Sequence, residues 1–192
     1  MQEDLVLASA SPRRRKILSD LDFEYIPAVS SVKEDEVIWE EPRKRARVLA
    51  ELKAVDVQSD FPSKRIIGAD TVVECDGRRL DKPADENEAA DMLRFLSGRT
   101  HTVITALALV SLPNHRKIEL ESTSVIFREL NQQEIESYIS TGECFDKAGA
   151  YGIQGYGAAL VEAIEGCFYN VVGMPVNLLI RMLREFAEEQ SD

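Results

Sequence analysis

Two carboxylates and a run of cations are the residues of this chain best suited to chemistry. Asp70 follows the apolar stretch Ile66-Ile67-Gly68-Ala69. In open α/β sheets ligands sit beyond the carboxyl ends of strands, where such an aspartate would lie; a turn or capping role is its plainer alternative. Glu34 stands in a polar stretch after a second strand-like segment. With Asp70 it would offer oxygen ligands to a hard divalent cation, water filling the remaining positions. Taken singly, Glu34 is one of 34 acidic residues. The cations Arg13-Arg14-Arg15-Lys16 follow Ser11-Pro12, a good N-cap and a proline suited to the first helical position. Four cations in a first turn oppose the helix dipole. A bound anion resolves that conflict, because spare amides, hydroxyls and guanidinium forks together make a phosphate receptor; a solvated basic stripe is the bland alternative.

A second candidate region is glycine-dense, Gly149-Ala150-Tyr151-Gly152-Ile153-Gln154-Gly155-Tyr156-Gly157. Its last three glycines run G-x-x-G-x-G, the reverse of a dinucleotide fingerprint, and no P-loop occurs in the chain. Such density suits close approach of backbone to a ligand. Gln154 carries a donor and an acceptor, which can pair with a base edge such as uracil N3–H and O4. By residue type alone Lys53 and Lys82 read as surface lysines, and His101, inside a β-branched stretch, as structural.

The elements that must position these residues alternate. An apolar strand reaches Ala8, a helix opens at Pro12, and Phe23–Val29 reads as a second strand. Residues 30–41 form a polar loop, Pro42 opens a helix to Val57, and Arg65–Val73 is a strand turned back at Asp76-Gly77. Asp85 and Glu88 form a capping box for a helix through Leu96, with Gly98 as its C′ residue. Thr100–Leu112 and Ile118–Phe127 are long strands turned at Pro113-Asn114; Asn131 and Glu134 start a helix that Gly142 ends. Ala159–Ile164 reads as a strand, Phe168–Val172 as an apolar segment, and Pro175 opens a last helix buried on two sides. This alternation predicts an α/β fold with a mixed sheet and flanking helices.

Composition narrows the partners. The chain has 192 residues, is 44% hydrophobic and carries a net charge of −11, which argues against nucleic acid or an anionic membrane as partner. A nucleotide-sized anion remains compatible, because the cations are gathered, at residues 13–16 and again at Arg43, Lys44, Arg45 and Arg47. Three widely spaced cysteines imply neither a disulfide framework nor a zinc site. The longest apolar run, Val103–Val110, is interrupted by Thr105, and the first residues lack a basic leader, so a cytoplasmic protein is expected.

Taken together and in order, these motifs resemble the Maf family, the septum-formation-associated nucleoside triphosphate pyrophosphatases. The resemblance rests on Leu7-Ala8-Ser9-Ala10-Ser11-Pro12-Arg13-Arg14, the Lys53 helix, Gly68-Ala69-Asp70-Thr71-Val72-Val73, Lys82-Pro83 and Leu96–His101. It continues through Gly142-Glu143, Asp146–Gly155 and Asn170–Pro175, one family domain over residues 1–192. It implies two lobes around a central cleft, related to the inosine triphosphate pyrophosphatases, with a divalent cation (Mg2+ or Mn2+), and it is compatible with a homodimer. Asp146-Lys147-Ala148-Gly149 with Ile153-Gln154 is similar to the branch cleaving dTTP and UTP to monophosphate and pyrophosphate. The alternatives are the 7-methyl-GTP branch and a non-catalytic nucleotide-binding regulator of cell division. By this resemblance Asp70 is the proton acceptor, and Arg13, Thr71 and Gln154 set base preference. Ser9, Lys53 and Lys82 contact phosphates, and Glu34 joins Asp70 at the metal. Val32 and Lys33 precede Glu34 where the family carries another acidic residue, leaving open which of Glu34, Asp35 and Glu36 faces the metal.

Overall fold

The computed structural model describes residues 5–38, 41–111 and 115–189. Among the described residues the strands are β1 (Leu5–Ala8), β2 (Ile26–Ala28), β3 (Arg65–Cys75), β4 (Arg78–Leu80), β5 (Thr100–Ser111), β6 (His115–Phe127) and β7 (Val161–Glu165). The α-helices among the described residues are α1 (Pro12–Asp20), α2 (Pro42–Gln58), α3 (Glu86–Leu96), α4 (Gln132–Ile139), α5 (Phe168–Val172) and α6 (Val176–Glu189). The strands hydrogen-bond in the order β2-β1-β3-β5-β6-β7, with β4 added to β3. β1 runs parallel to β2 and β3, while β4 is antiparallel to β3 and β7 to β6, so the sheet is mixed as expected. The chain divides into two compact units, one of Met1–Asp70, Thr105–Glu121 and Gly173–Asp192, the other of Thr71–Ile104 and Ser122–Val172.

In the first unit β1 is buried along its whole length, and it pairs Leu5 with Arg65 through to Ala8 with Gly68. Ser11 caps α1, its hydroxyl accepting from the Arg14 amide at 3.5 Å, and Pro12 follows it. β2 is shorter than its apolar pattern suggests: only Ile26–Ala28 pair with β1, because the partner strand is itself four residues long. α2 packs against β3 at Gly68, where an added Cβ would lie 2.0 Å from the Ala50 carbonyl oxygen and 2.9 Å from Ala54 Cβ. Only glycine admits so close a helix. In α6, Val176, Leu178, Leu179, Met182 and Phe186 are buried while Ile180 and Leu183 are half-buried. The Pro175 carbonyl accepts the first helical bond, so that proline precedes the helix rather than opening it.

The second unit has a core of Val73, Leu80, Met92, Leu93, Leu96, Phe127, Ile135, Tyr151 and their neighbours. Asp76 and Gly77 both have positive φ, which matches the right-handed twist of the β3–β4 hairpin. α4 has a full capping box between Asn131 and Glu134. α3 does not: the Asp85 side chain caps the Glu88 amide, but the Glu88 carboxylate reaches back to Ala84. The stretch expected to be a strand from Ala159 splits instead into a 3-10 segment, Gly155–Leu160, and β7. The expected turn at Pro113-Asn114 lies outside the described residues.

Candidate active site

Gly68 and Asp70 are two residues apart on β3, so their side-chain positions share one face of the sheet. Gly68 admits the α2 backbone, and that approach brings Lys53 of α2 to Asp70, with Nζ 2.8 Å from Oδ1. The same ammonium lies 2.7 Å from Glu34 Oε1. The side chains of Lys53 and Asp70 are 11% and 7% exposed, whereas Glu34 is 37% exposed, so the cluster opens on the Glu34 side. Glu34 sits on a 3-10 turn tied to α2 three times: by its carboxylate to Lys53, by its carbonyl to Arg45, and upstream by Ser31 to Asp56. The neighbouring Glu36 pairs with Lys33 and Asp35 is exposed, so Glu34 is the acidic residue of this turn that joins the cluster.

Asp70 lies inside β3, not beyond its end, since the strand continues to Cys75. It is the shorter β1, paired only as far as Gly68, that ends before Asp70, and the ligand position expected of an α/β sheet belongs to that strand. Burial raises the pKa of the Asp70 carboxyl, against the pull of Lys53 and Arg14 in the other direction. Its Oδ2 is buried with no hydrogen-bond partner. A carboxylate of raised basicity with an unused acceptor is suited to taking a proton.

Arg14, rather than Arg13, is the buried cation of α1. Its Nε donates to the Gly173 carbonyl at 2.8 Å and its Nη1 to Ala69 O at 2.9 Å and to Ser9 Oγ at 3.2 Å. Burial lowers its pKa, while Asp70 and then Glu34 raise it. Arg15 donates to the Ser9 carbonyl, Lys16 pairs with Asp20, and Arg13 is half-buried. The clash between a basic first turn and the helix dipole is thus relieved largely by protein oxygens. Ser9 is buried, and its hydroxyl also accepts from the Ser11 amide. Sequence reasoning missed Arg14 because adjacent arginines differ only in the direction that helix rotation assigns them.

The first unit therefore brings together Ser9, Glu34, Lys53 and Asp70, with Arg13 on the adjoining helix. Thr71, Lys82 and Gln154 belong to the second unit. Thr71 is half-buried on β3, while Lys82 and Gln154 are exposed. The Gly149 amide donates to the Asp81 carbonyl at 3.1 Å, which sets Lys82 beside the start of the glycine-dense segment. His101 is structural as expected: buried, 2.7 Å from the Tyr151 hydroxyl, with a pKa lowered by burial to about 4.

Among the described residues no three His, Cys, Asp or Glu side chains are grouped for a metal. A cation here would rest on two carboxylates, with water and substrate oxygens completing its shell, the arrangement Mg2+ favours. Glu34 and Asp70 fit that requirement, since both are hard oxygen donors gathered on one ammonium and Asp70 Oδ2 lacks a partner.

Residues 4–186 match the profile of the family described as Maf-like protein. The chain is 49% identical over 180 residues to the dTTP/UTP pyrophosphatase of Pyrococcus furiosus, covering 93% of each chain. It is 46% identical over 182 residues to the dTTP/UTP pyrophosphatase of Bacillus pumilus, covering 95% of this chain and 96% of that one. Among solved structures, a HAM1 protein from Coxiella burnetii aligns with 83% of this chain and 80% of its own at 17% identity, with a TM-score of 0.47.

Proposed function

Because the chain belongs to the Maf-like protein family, we propose that it is a nucleoside triphosphate pyrophosphatase that converts dTTP and UTP to monophosphate and pyrophosphate. The observation that carries this reading is Asp70, a buried carboxylate with one oxygen on Lys53 and the other unpartnered. It occurs in a chain 49% identical to a protein named for that activity. Asp70 takes a proton from the water that attacks the α-phosphorus. The new bond joins that oxygen to phosphorus, the α–β bridging bond breaks, and its electron pair leaves with pyrophosphate. Lys53, Arg13 and Lys82 neutralise the triphosphate, and the Ser9 hydroxyl orients a phosphate oxygen. Arg14, wired to three protein oxygens, keeps the turn after β1 and the Asp70 strand in register. Mg2+ or Mn2+ would be held by Glu34 and Asp70 and would supply Lewis-acid neutralisation of phosphate charge.

Gln154 pairs with the N3–H and O4 edge of the pyrimidine, with Arg13 and Thr71 contributing to base preference. Purines present the wrong edge and leave polar groups unpaired, while thymine and uracil differ by one methyl and are separated weakly. A cytoplasmic setting suits the free thiols of Cys75, Cys144 and Cys167. Among the described residues no helix is long and apolar enough to cross a membrane. Product analysis tests the reaction. UMP and pyrophosphate from UTP are expected; UDP and orthophosphate, or turnover of 7-methyl-GTP with none of UTP, would sink it.

A further inference from the structure

Gln154 stands at the exposed tip of a loop whose two ends are pinned together. A Cβ on Gly157 would lie 2.0 Å from the Gly152 carbonyl oxygen, so the backbones at these positions are in direct contact. The Gly152 amide donates to the Tyr138 hydroxyl at 3.1 Å. Lys147 lies across Gly152, whose Cβ would meet Lys147 Cε at 2.7 Å, and its ammonium turns inward to the Glu143 carbonyl and the Asp146 carboxylate. This lysine is committed to the loop. Glu143 supplies the remaining anchor. Its carboxylate faces the backbone after Gln154, accepting from the Tyr156 amide at 3.3 Å and the Gly157 amide at 3.4 Å. Gly155, at φ +65°, leaves room for that carboxylate, because a Cβ there would be 2.5 Å from Glu143 Oε1.

We propose that Glu143 is the positioning residue that holds the Gln154 loop in its base-reading shape, and so maintains the preference for pyrimidine over purine triphosphates. The proposal rests on the base-reading role of Gln154. Two hydrogen bonds to a base edge discriminate only if the amide is held in one orientation, and an exposed tip loses that orientation when its anchor goes. The Glu143 carboxylate is spent on the loop backbone, so its removal weakens substrate binding and leaves proton transfer by Asp70 intact. Lys147 packs on the other side of the same loop, at Gly152.

Steady-state kinetics with UTP and GTP test this, with thermal melting as the check on folding. Glu143→Ala raises KM for UTP roughly tenfold or more and lowers the UTP-over-GTP ratio of kcat/KM by a similar factor, with kcat within about twofold. Glu143→Gln keeps one acceptor oxygen for the two amides and recovers part of both losses. Gly155→Ala, whose Cβ displaces the carboxylate, reproduces the Glu143→Ala pattern and serves as the second route should that variant not fold. A folded Glu143→Ala with unchanged KM and ratio overturns the proposal, as does a fall in kcat shared equally by UTP and GTP. A wild-type protein that cleaves nucleotides but treats UTP and GTP alike removes the role of Gln154 itself, and Glu143 with it. A wild-type protein that releases no pyrophosphate from any triphosphate rejects the enzymatic reading separately.

Discussion

The first unit buries charges, Arg14, Arg45, Lys53 and Asp70, beside neutral Ser9, Gln58, Thr105 and Ser111, whereas the buried polar groups of the second among the described residues, His101, Thr123 and Asn170, are all neutral. In the second unit the polar groups tie the fold together. Asn170 donates to the Val103 carbonyl at 2.9 Å and to Thr123 Oγ1 at 3.0 Å, and His101 packs edge-on against Phe127 and Tyr151. Neutral groups pay little for burial once bonded, and they suit a core. Charged groups cost far more to desolvate, and a buried ion pair is seldom the most stable filling for its space. Retaining Asp70, with its Oδ2 unpartnered, makes sense if the carboxylate has work to do beyond stability. The comparison sets neutral groups that hold the second unit against a carboxylate that acts in the first, where the buried charge of Arg14 still serves to hold.

The sharpest way to break that comparison is Asp70→Asn. Turnover falls by about 10^3-fold, some 4 kcal/mol of barrier, while the melting temperature is kept or rises because a buried charge is gone. Near-normal kcat in that variant would place the base elsewhere. Arg14→Lys tests whether a buried cation can be structural: a lysine cannot span Gly173 O, Ala69 O and Ser9 Oγ together, and about 3 kcal/mol of stability is lost in urea unfolding. Unchanged stability would mean the three bonds contribute nothing net.

His101 supplies the neutral side of the contrast. Its pKa falls to about 4 in the fold from an ordinary value of 6.5, so the unfolded chain binds the proton first. Its contribution is therefore complete above pH 6.5 and is lost as pH falls toward 4, to a total of about 3 kcal/mol. Denaturation midpoints against pH should show this slope in the wild type and not in His101→Gln, with activity at neutral pH retained; equal slopes would assign the acid sensitivity to other groups. Gly68→Ala costs about 3 kcal/mol or more, because its Cβ would lie 2.0 Å from the Ala50 carbonyl oxygen, a backbone atom that yields only if α2 shifts. Its diagnostic is an activity loss larger than this stability loss accounts for at assay temperature, because Lys53 is pushed from Asp70.

Much of the fold was legible because its signals are local. Ser11-Pro12, Asn131 with Glu134, and Asp76-Gly77 each set backbone geometry within a few residues of themselves, and each occurs as expected. β2 and the stretch from Ala159 were misjudged in extent, since strand length depends on how much partner strand is available. At the site, Asp70, Lys53 and Glu34 were named from chemistry and resemblance, and the structure brings those three together. The role of Gly68 was invisible, because nothing near it in the chain announces a helix backbone against it.

By itself the sequence determined where chain reversals and helix starts fall, and which apolar runs are strands, because caps, turns and side-chain alternation act over a few residues. Tertiary structure alone decided which of four adjacent cations turns inward, and that one ammonium joins two carboxylates from separate segments. Those choices depend on helix rotation and on backbone approach at Gly68, quantities that exist only once distant segments have packed.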